Sequence, residues 1–94
     1  MPYSVENAYS RINTSTTTVC KAGSGMLHTI TFSAIAATAT INVFDNTAGS
    51  GTVIFSYTGG AIASPITVTF DTRFNIGLTV VTAVAAVDMT VSFS

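Results

Sequence analysis

Short runs in which apolar residues alternate with hydroxyl-bearing ones, each cut off by a turn signal, recur along the whole chain. Met26, His28, Ile30 and Phe32 alternate with Leu27, Thr29 and Thr31; Ile66, Val68 and Phe70 with Thr67 and Thr69; Met89, Val91 and Phe93 with Thr90, Ser92 and Ser94. Period-2 alternation places successive side chains on opposite faces of a strand, and short strands punctuated by turns are the pattern of a sandwich or barrel. Composition agrees, because Thr, Val and Ile make up 35 of 94 residues while Leu occurs twice and Gln is absent. Side chains crowded at χ1 favour strands over helices. The 12 alanines form no sustained i, i+3, i+4 stripe, so no long helix is expected.

Ninety-four residues supply one core. The pattern predicts an all-β fold, a single antiparallel β-sandwich of seven or eight strands, jelly-roll-like or immunoglobulin-like. Residues 13–94 are assigned to the sandwich and residues 1–12 to an N-terminal arm. That arm carries Tyr3, Val5, Tyr9 and Ile12 among polar residues; it is either a frayed terminus or an arm docking onto a neighbouring subunit. Thr14 to Lys21 is polar and β-branched, as an edge strand would be. The strand through Ile30 should be central, with Met26, His28, Ile30 and Phe32 on one face. The segment 38–44 with Ala39, Ile41 and Val43 inward, the turn 45–51 and the run 53–57 read as a hairpin.

Charge is scarce, with Arg11, Lys21 and Arg73 against Glu6, Asp45, Asp71 and Asp88. That is 7% of the chain, where soluble domains average about 25%. A free monomer with such a surface is poorly protected against association. The net charge of −1, with no Lys/Arg cluster, argues against nucleic acid as a partner. The long uncharged stretches 22–44 and 46–70 are broken every few residues by Gly, Ser, Thr, Asn or Pro, so no membrane span is expected. The start Met1-Pro2-Tyr3-Ser4-Val5-Glu6 has neither the basic nor the apolar region of a secretory signal, which gives an expectation of synthesis in the cytoplasm.

No catalytic constellation is expected. His28 is the sole candidate base, and it lies in the apolar register of its strand, where a packed, hydrogen-bonded role is expected. Asp45, Asp71 and Asp88 each fall at the end of an expected strand, where Asp satisfies turn amides. One Cys and one His fall short of a zinc set, and Asp45-Asn46-Thr47 lacks the acid density of a calcium loop. Gly23-Ser24-Gly25 and Gly49-Ser50-Gly51 precede strands and read as hairpin turns, because a phosphate loop leads into a helix. Cys20 beside Lys21 reads as an incidental thiol. No cofactor and no metal are expected. Phe44, out of register with Ile41 and Val43, and Arg73 and Phe74, placed together in a loop, are the candidates for contact with a partner subunit, together with Tyr3, Val5 and Tyr9 of the arm.

Three segments carry a resemblance. Lys21-Ala22-Gly23-Ser24-Gly25-Met26-Leu27-His28-Thr29-Ile30, then Val43-Phe44-Asp45-Asn46-Thr47-Ala48-Gly49-Ser50-Gly51-Thr52-Val53-Ile54, then Asn75-Ile76-Gly77-Leu78-Thr79-Val80-Val81-Thr82 resemble small structural proteins of tailed-bacteriophage virions. The similarity runs from about Val19 to Phe93 and contains no catalytic signature. It implies a virion component made in the bacterial cytoplasm. The reading favoured is a capsid decoration or cement protein that binds the major capsid protein or other virion proteins as a homo-oligomer, a trimer by preference. A tail, neck or fibre-associated module, or a host-receptor or carbohydrate-binding domain, is the alternative.

Overall fold

A computed structural model describes residues 8–58, 60–62 and 64–94. They form eight strands: β1 (Ala8–Ile12), β2 (Thr17–Ala22), β3 (Gly25–Ile35), β4 (Thr40–Asp45), β5 (Thr52–Thr58), β6 (Ile66–Phe74), β7 (Gly77–Ala83) and β8 (Val87–Phe93). No helix among them is long and apolar enough to cross a membrane. The strands make two four-stranded antiparallel sheets, in the orders β1-β8-β3-β6 and β2-β7-β4-β5, called here sheet A and sheet B.

The pairing has a simple logic. β4 pairs with β5, β3 with β6, β2 with β7 and β1 with β8, so the second half of the chain runs back along the first as one long hairpin. The β3–β8 and β4–β7 pairs then fold that ribbon over itself into two layers. Their inner faces enclose Leu27, Ile30, Phe32, Ile41, Val43, Phe74, Leu78, Val80, Met89 and Val91, each at most 2% exposed. The expected hairpin around residues 45–51 is present. Its turn is held by Asn46, whose Nδ2 donates to the Ser50 carbonyl at 2.7 Å and whose Oδ1 accepts from the Thr47 amide at 2.8 Å. Gly51 completes it at φ 102°, a conformation that costs glycine little.

Two expectations change. Residues 8–12, assigned to an arm, are a strand of the sandwich: β1 pairs with β8 from Ala8↔Phe93 to Ile12↔Met89, and Ile12 is buried. Its sparse apolar residues hid this, because a short edge strand needs only one anchor in the core. The face assignment of β3 also changes. Register shifts fall between Leu27 and Thr29 and between Phe32 and Ala34, so the inward residues are Leu27, Ile30, Phe32 and Ile35, spaced three, two and three. Each bulge inserts one residue and flips the alternation beyond it. Met26 and His28 therefore leave the core that plain alternation gave them.

The expected edge strand is at an edge, as β2 in sheet B, but it starts at Thr17. Thr14 and Thr16 instead belong to a connection tied down by Thr82. Its Oγ1 donates to the Thr14 carbonyl at 2.6 Å and accepts from the Thr16 amide at 3.0 Å.

Candidate functional site

The end of the sandwich carrying the 23–24, 46–51 and 75–76 turns is organised by Asp45. Its carboxylate accepts from the amides of Asn75 at 3.0 Å, Ile76 at 2.8 Å and Gly77 at 3.4 Å. These amides, chiefly those of Ile76 and Asn75, hold the carboxyl below the ordinary aspartate value. Asp45 thus does what its position led one to expect, but for the 75–76 turn that carries the chain from β6 of sheet A to β7 of sheet B. A group whose folded pKa is depressed stabilises the fold above its unfolded value, near 3.8, and loses that contribution as pH falls through the folded value. Asp45→Asn keeps a carbonyl acceptor and removes the titration. Its melting temperature is expected to fall less than that of the wild type between about pH 5 and pH 2, as a pH series of thermal melts would show.

Asp88 and Asp71 depart from the turn-amide expectation. Asp88 lies on β8 and accepts from two guanidinium nitrogens of Arg11 on the neighbouring β1, Nε at 3.1 Å and Nη2 at 2.9 Å, which lowers its pKa through the hydrogen bond. Asp71 lies within β6 at φ 46°, a left-handed conformation that Asp tolerates better than most residues.

Cross-strand register sorts the outer residues of the two sheets. On sheet A, one row runs Thr67, Thr31, Thr90, Arg11 and the next Thr69, Thr29, Ser92, Tyr9. Thr31 and Thr67 hydroxyls are 2.9 Å apart. Arg11, Asp71, Arg73 and Asp88 share this face with His28, so four of the six charged side chains among the described residues lie on it. Sheet B's outer face carries none of them. Its rows run Val53, Phe44, Thr79, Val19 and Ser56, Asn42, Val81, Thr17, with Val19 48% and Val53 49% exposed. The 46–51 turn leans over this face: the Thr79 hydroxyl donates to the Asn46 carbonyl at 2.7 Å, and Gly49 sits against Val81.

The contact candidates separate accordingly. Phe44 faces outward on sheet B, half-buried between Val53 and Thr79. Tyr9 is 74% exposed and faces outward on the β1 edge of sheet A, and Arg73 is exposed on its β6 edge. Tyr3 and Val5 lie outside the described residues. Phe74 is a correction, because it is fully buried as the last residue of β6 rather than placed in a loop. β6 continues through the segment read as a turn, and Phe74 pairs with Gly25, whose missing side chain makes room for the ring.

Alternation also concealed one side-chain cluster. At the β3 bulge, His28 Nδ1 is 3.3 Å from Asp71 Oδ1 and Nε2 is 3.2 Å from Ser94 Oγ. A neutral imidazole satisfies both by donating from Nδ1 to the carboxylate and accepting the serine proton at Nε2, the order of groups in an acyl-transfer triad. The Ser94 amide, however, donates to the Met26 carbonyl at 2.9 Å, so it is not free to bind a developing oxyanion. Among the described residues no pocket opens beside the cluster. In this geometry the cluster ties β3, β6 and β8 together on the polar face.

Cys20, at a register shift in β2, packs against the core. Burial raises its thiol pKa, opposed by a hydrogen bond with Ser10. Its place beside Lys21 in sequence therefore does not activate it.

Comparison with family models, with curated proteins and with solved structures finds no match to this chain.

Proposed function

We propose that the chain is a structural component of a tailed-bacteriophage virion, a non-enzymatic capsid decoration protein that binds the head shell as a homo-oligomer. The observation that carries this reading is the segregation of charge between the two faces. A sheet surface without a charged side chain, with Phe44, Val19 and Val53 in one row, has the composition of an interface core, where charge is depleted and aromatics are enriched. Its burial gains roughly 25 cal/mol per Å² of apolar surface without desolvating an ion. The hydroxyl-rich, charged face of sheet A is suited to remain in water.

The wrapping order of the strands supports the same reading. We read the doubled-over eight-strand ribbon as a jelly roll rather than an immunoglobulin-type sandwich, and jelly rolls are a recurrent architecture of viral shells. Fold alone does not fix function, so the assignment leans on the uncharged face and on the sequence resemblance. Partners are the major capsid protein or other virion proteins, and the location is the particle.

The test is copy number in purified particles by quantitative mass spectrometry with labelled peptides. Hundreds of copies per particle are expected. Six or twelve copies would overturn the decoration reading in favour of a tail or neck ring, and absence from the particle would contradict any virion role.

A further inference from the structure

The outer face of sheet A is most regular where it is hydroxylated. Thr29-Ile30-Thr31, Thr67-Val68-Thr69 and Thr90-Val91-Ser92 lie side by side on β3, β6 and β8. The register shifts of β3 fall before Thr29 and after Phe32, so pairing across this block is unbroken and its six hydroxyls form two parallel rows of three. Neighbours within a row are about 4.8 Å apart, and the rows are about 7 Å apart. In one row Thr31 and Thr67 bond each other. In the other, the hydroxyls of Thr29, Thr69 and Ser92 make no hydrogen bond within the protein among the described residues, and none is buried without a partner. That second row ends on Tyr9 of β1, which is 74% exposed and is the one exposed aromatic side chain among the described residues.

Charge borders this block rather than crossing it. Arg11 leans away from Tyr9 to pair with Asp88 at 2.9 Å. Asp71 lies beyond Thr69 beside His28, and Arg73 lies further along β6. The two positive and two negative charges of the face cancel. A complementary ligand is therefore neutral, carries groups that both donate and accept hydrogen bonds as hydroxyls do, and offers an apolar surface to the ring of Tyr9. Sugar rings combine these properties, with hydroxyls around the rim and C–H groups on the face. Among the described residues no pocket opens, so the ligand is an extended chain lying on the surface.

We propose that the outer face of sheet A binds a neutral polysaccharide, laid across the strands along the row Tyr9, Ser92, Thr29, Thr69. Tyr9 packs against the C–H face of one sugar, and the three hydroxyls exchange hydrogen bonds with the units that follow. Threonine is stiff at χ1, so little rotamer freedom is lost on binding. An acidic polysaccharide is the poorer match, because Arg11 is already paired with Asp88. The contact goes beyond the virion reading and does not depend on it. On a shell bound through sheet B, sheet A faces outward in many copies, and weak contacts multiply into avidity.

Affinity electrophoresis of the full chain in native gels cast with a soluble β-glucan, a galactomannan or a dextran tests this, with alginate as the acidic comparison. Retardation by at least one neutral polysaccharide is expected, and because no charge is exchanged it is insensitive to salt. Tyr9→Ala is expected to weaken binding more than about tenfold. Thr29→Val and Thr69→Val, which remove a hydroxyl and keep the β-branched shape, each weaken it several-fold. Melting curves stay unchanged for Tyr9→Ala and Thr69→Val, since both positions are exposed. Val53→Ser, on the outer face of sheet B, leaves retardation as it is. No retardation by any of the three neutral polysaccharides, retardation by alginate alone, or binding that survives both Tyr9→Ala and Thr69→Val would overturn the proposal. These results are independent of particle copy number. A chain present in hundreds per virion that binds no polysaccharide sinks the sheet A site alone, and a polysaccharide binder absent from virions sinks only the virion role.

Discussion

Phe74→Ala is expected to lower the stability of the chain by about 3–5 kcal/mol. Phe74 is the largest of the fully buried side chains, and it fills the end of the core opposite Gly25. The sheets on either side are fixed by paired backbone, so the space left by the ring cannot collapse, and a cavity term adds to the lost transfer energy. A domain of this size holds only about 5–15 kcal/mol in total. A fall of roughly 15–30 °C in melting temperature follows, measurable by circular dichroism or calorimetry. A shift of only a few degrees would mean that the ring is not in the core and would restore the loop placement that its neighbours Asp71-Thr72-Arg73 suggest.

The second large effect is expected from Gly77→Ala. Gly77 opens β7 where β2, the 46–51 turn and the 75–76 turn converge. A methyl group there would meet Thr47 Cγ2 at 2.8 Å and the carbonyl oxygens of Asn46 and Lys21 at 2.9 Å each. Two of these three contacts are backbone, and the Gly77 amide is itself directed at Asp45. Relief therefore requires moving paired strands, at about 1–3 kcal/mol. The melting temperature should drop by about 5–20 °C. Gly60→Ala is the matched control, because nothing lies within 4 Å of the added carbon, and it should melt close to the wild type.

Much of the fold was legible in the residues, for identifiable reasons. Alternation located β3, β4, β6 and β8, and the Asx and Gly content of residues 45–51 gave the hairpin. The departures on β3 share one cause. A bulge adds a residue without any mark in composition, so plain alternation places Met26 and His28 inside and Leu27 outside, and hides the meeting of His28 with Asp71 and Ser94. Asp71-Thr72-Arg73 looks like a turn and so suggests a loop for Phe74, whereas β6 passes the left-handed Asp71 with a register shift and stays paired as far as Gly25. Phe44 was legible, since its register opposite to Ile41 and Val43 needs no long-range information. The separation of charge between faces was not, because Arg11, Asp71, Arg73 and Asp88 come from three strands that only the sheet order brings together.

The division of labour between an uncharged face and a charged one is central to the proposed role, and a cryo-electron reconstruction of particles released by cells encoding this chain tests it most directly. The expected map shows two stacked four-stranded sheets repeated over the outside of the shell. Phe44, Val19 and Val53 are covered by a protein neighbour, and the threonine rows of sheet A face solvent. Particles without such density, or with the uncharged face of sheet B turned to water, would contradict the account.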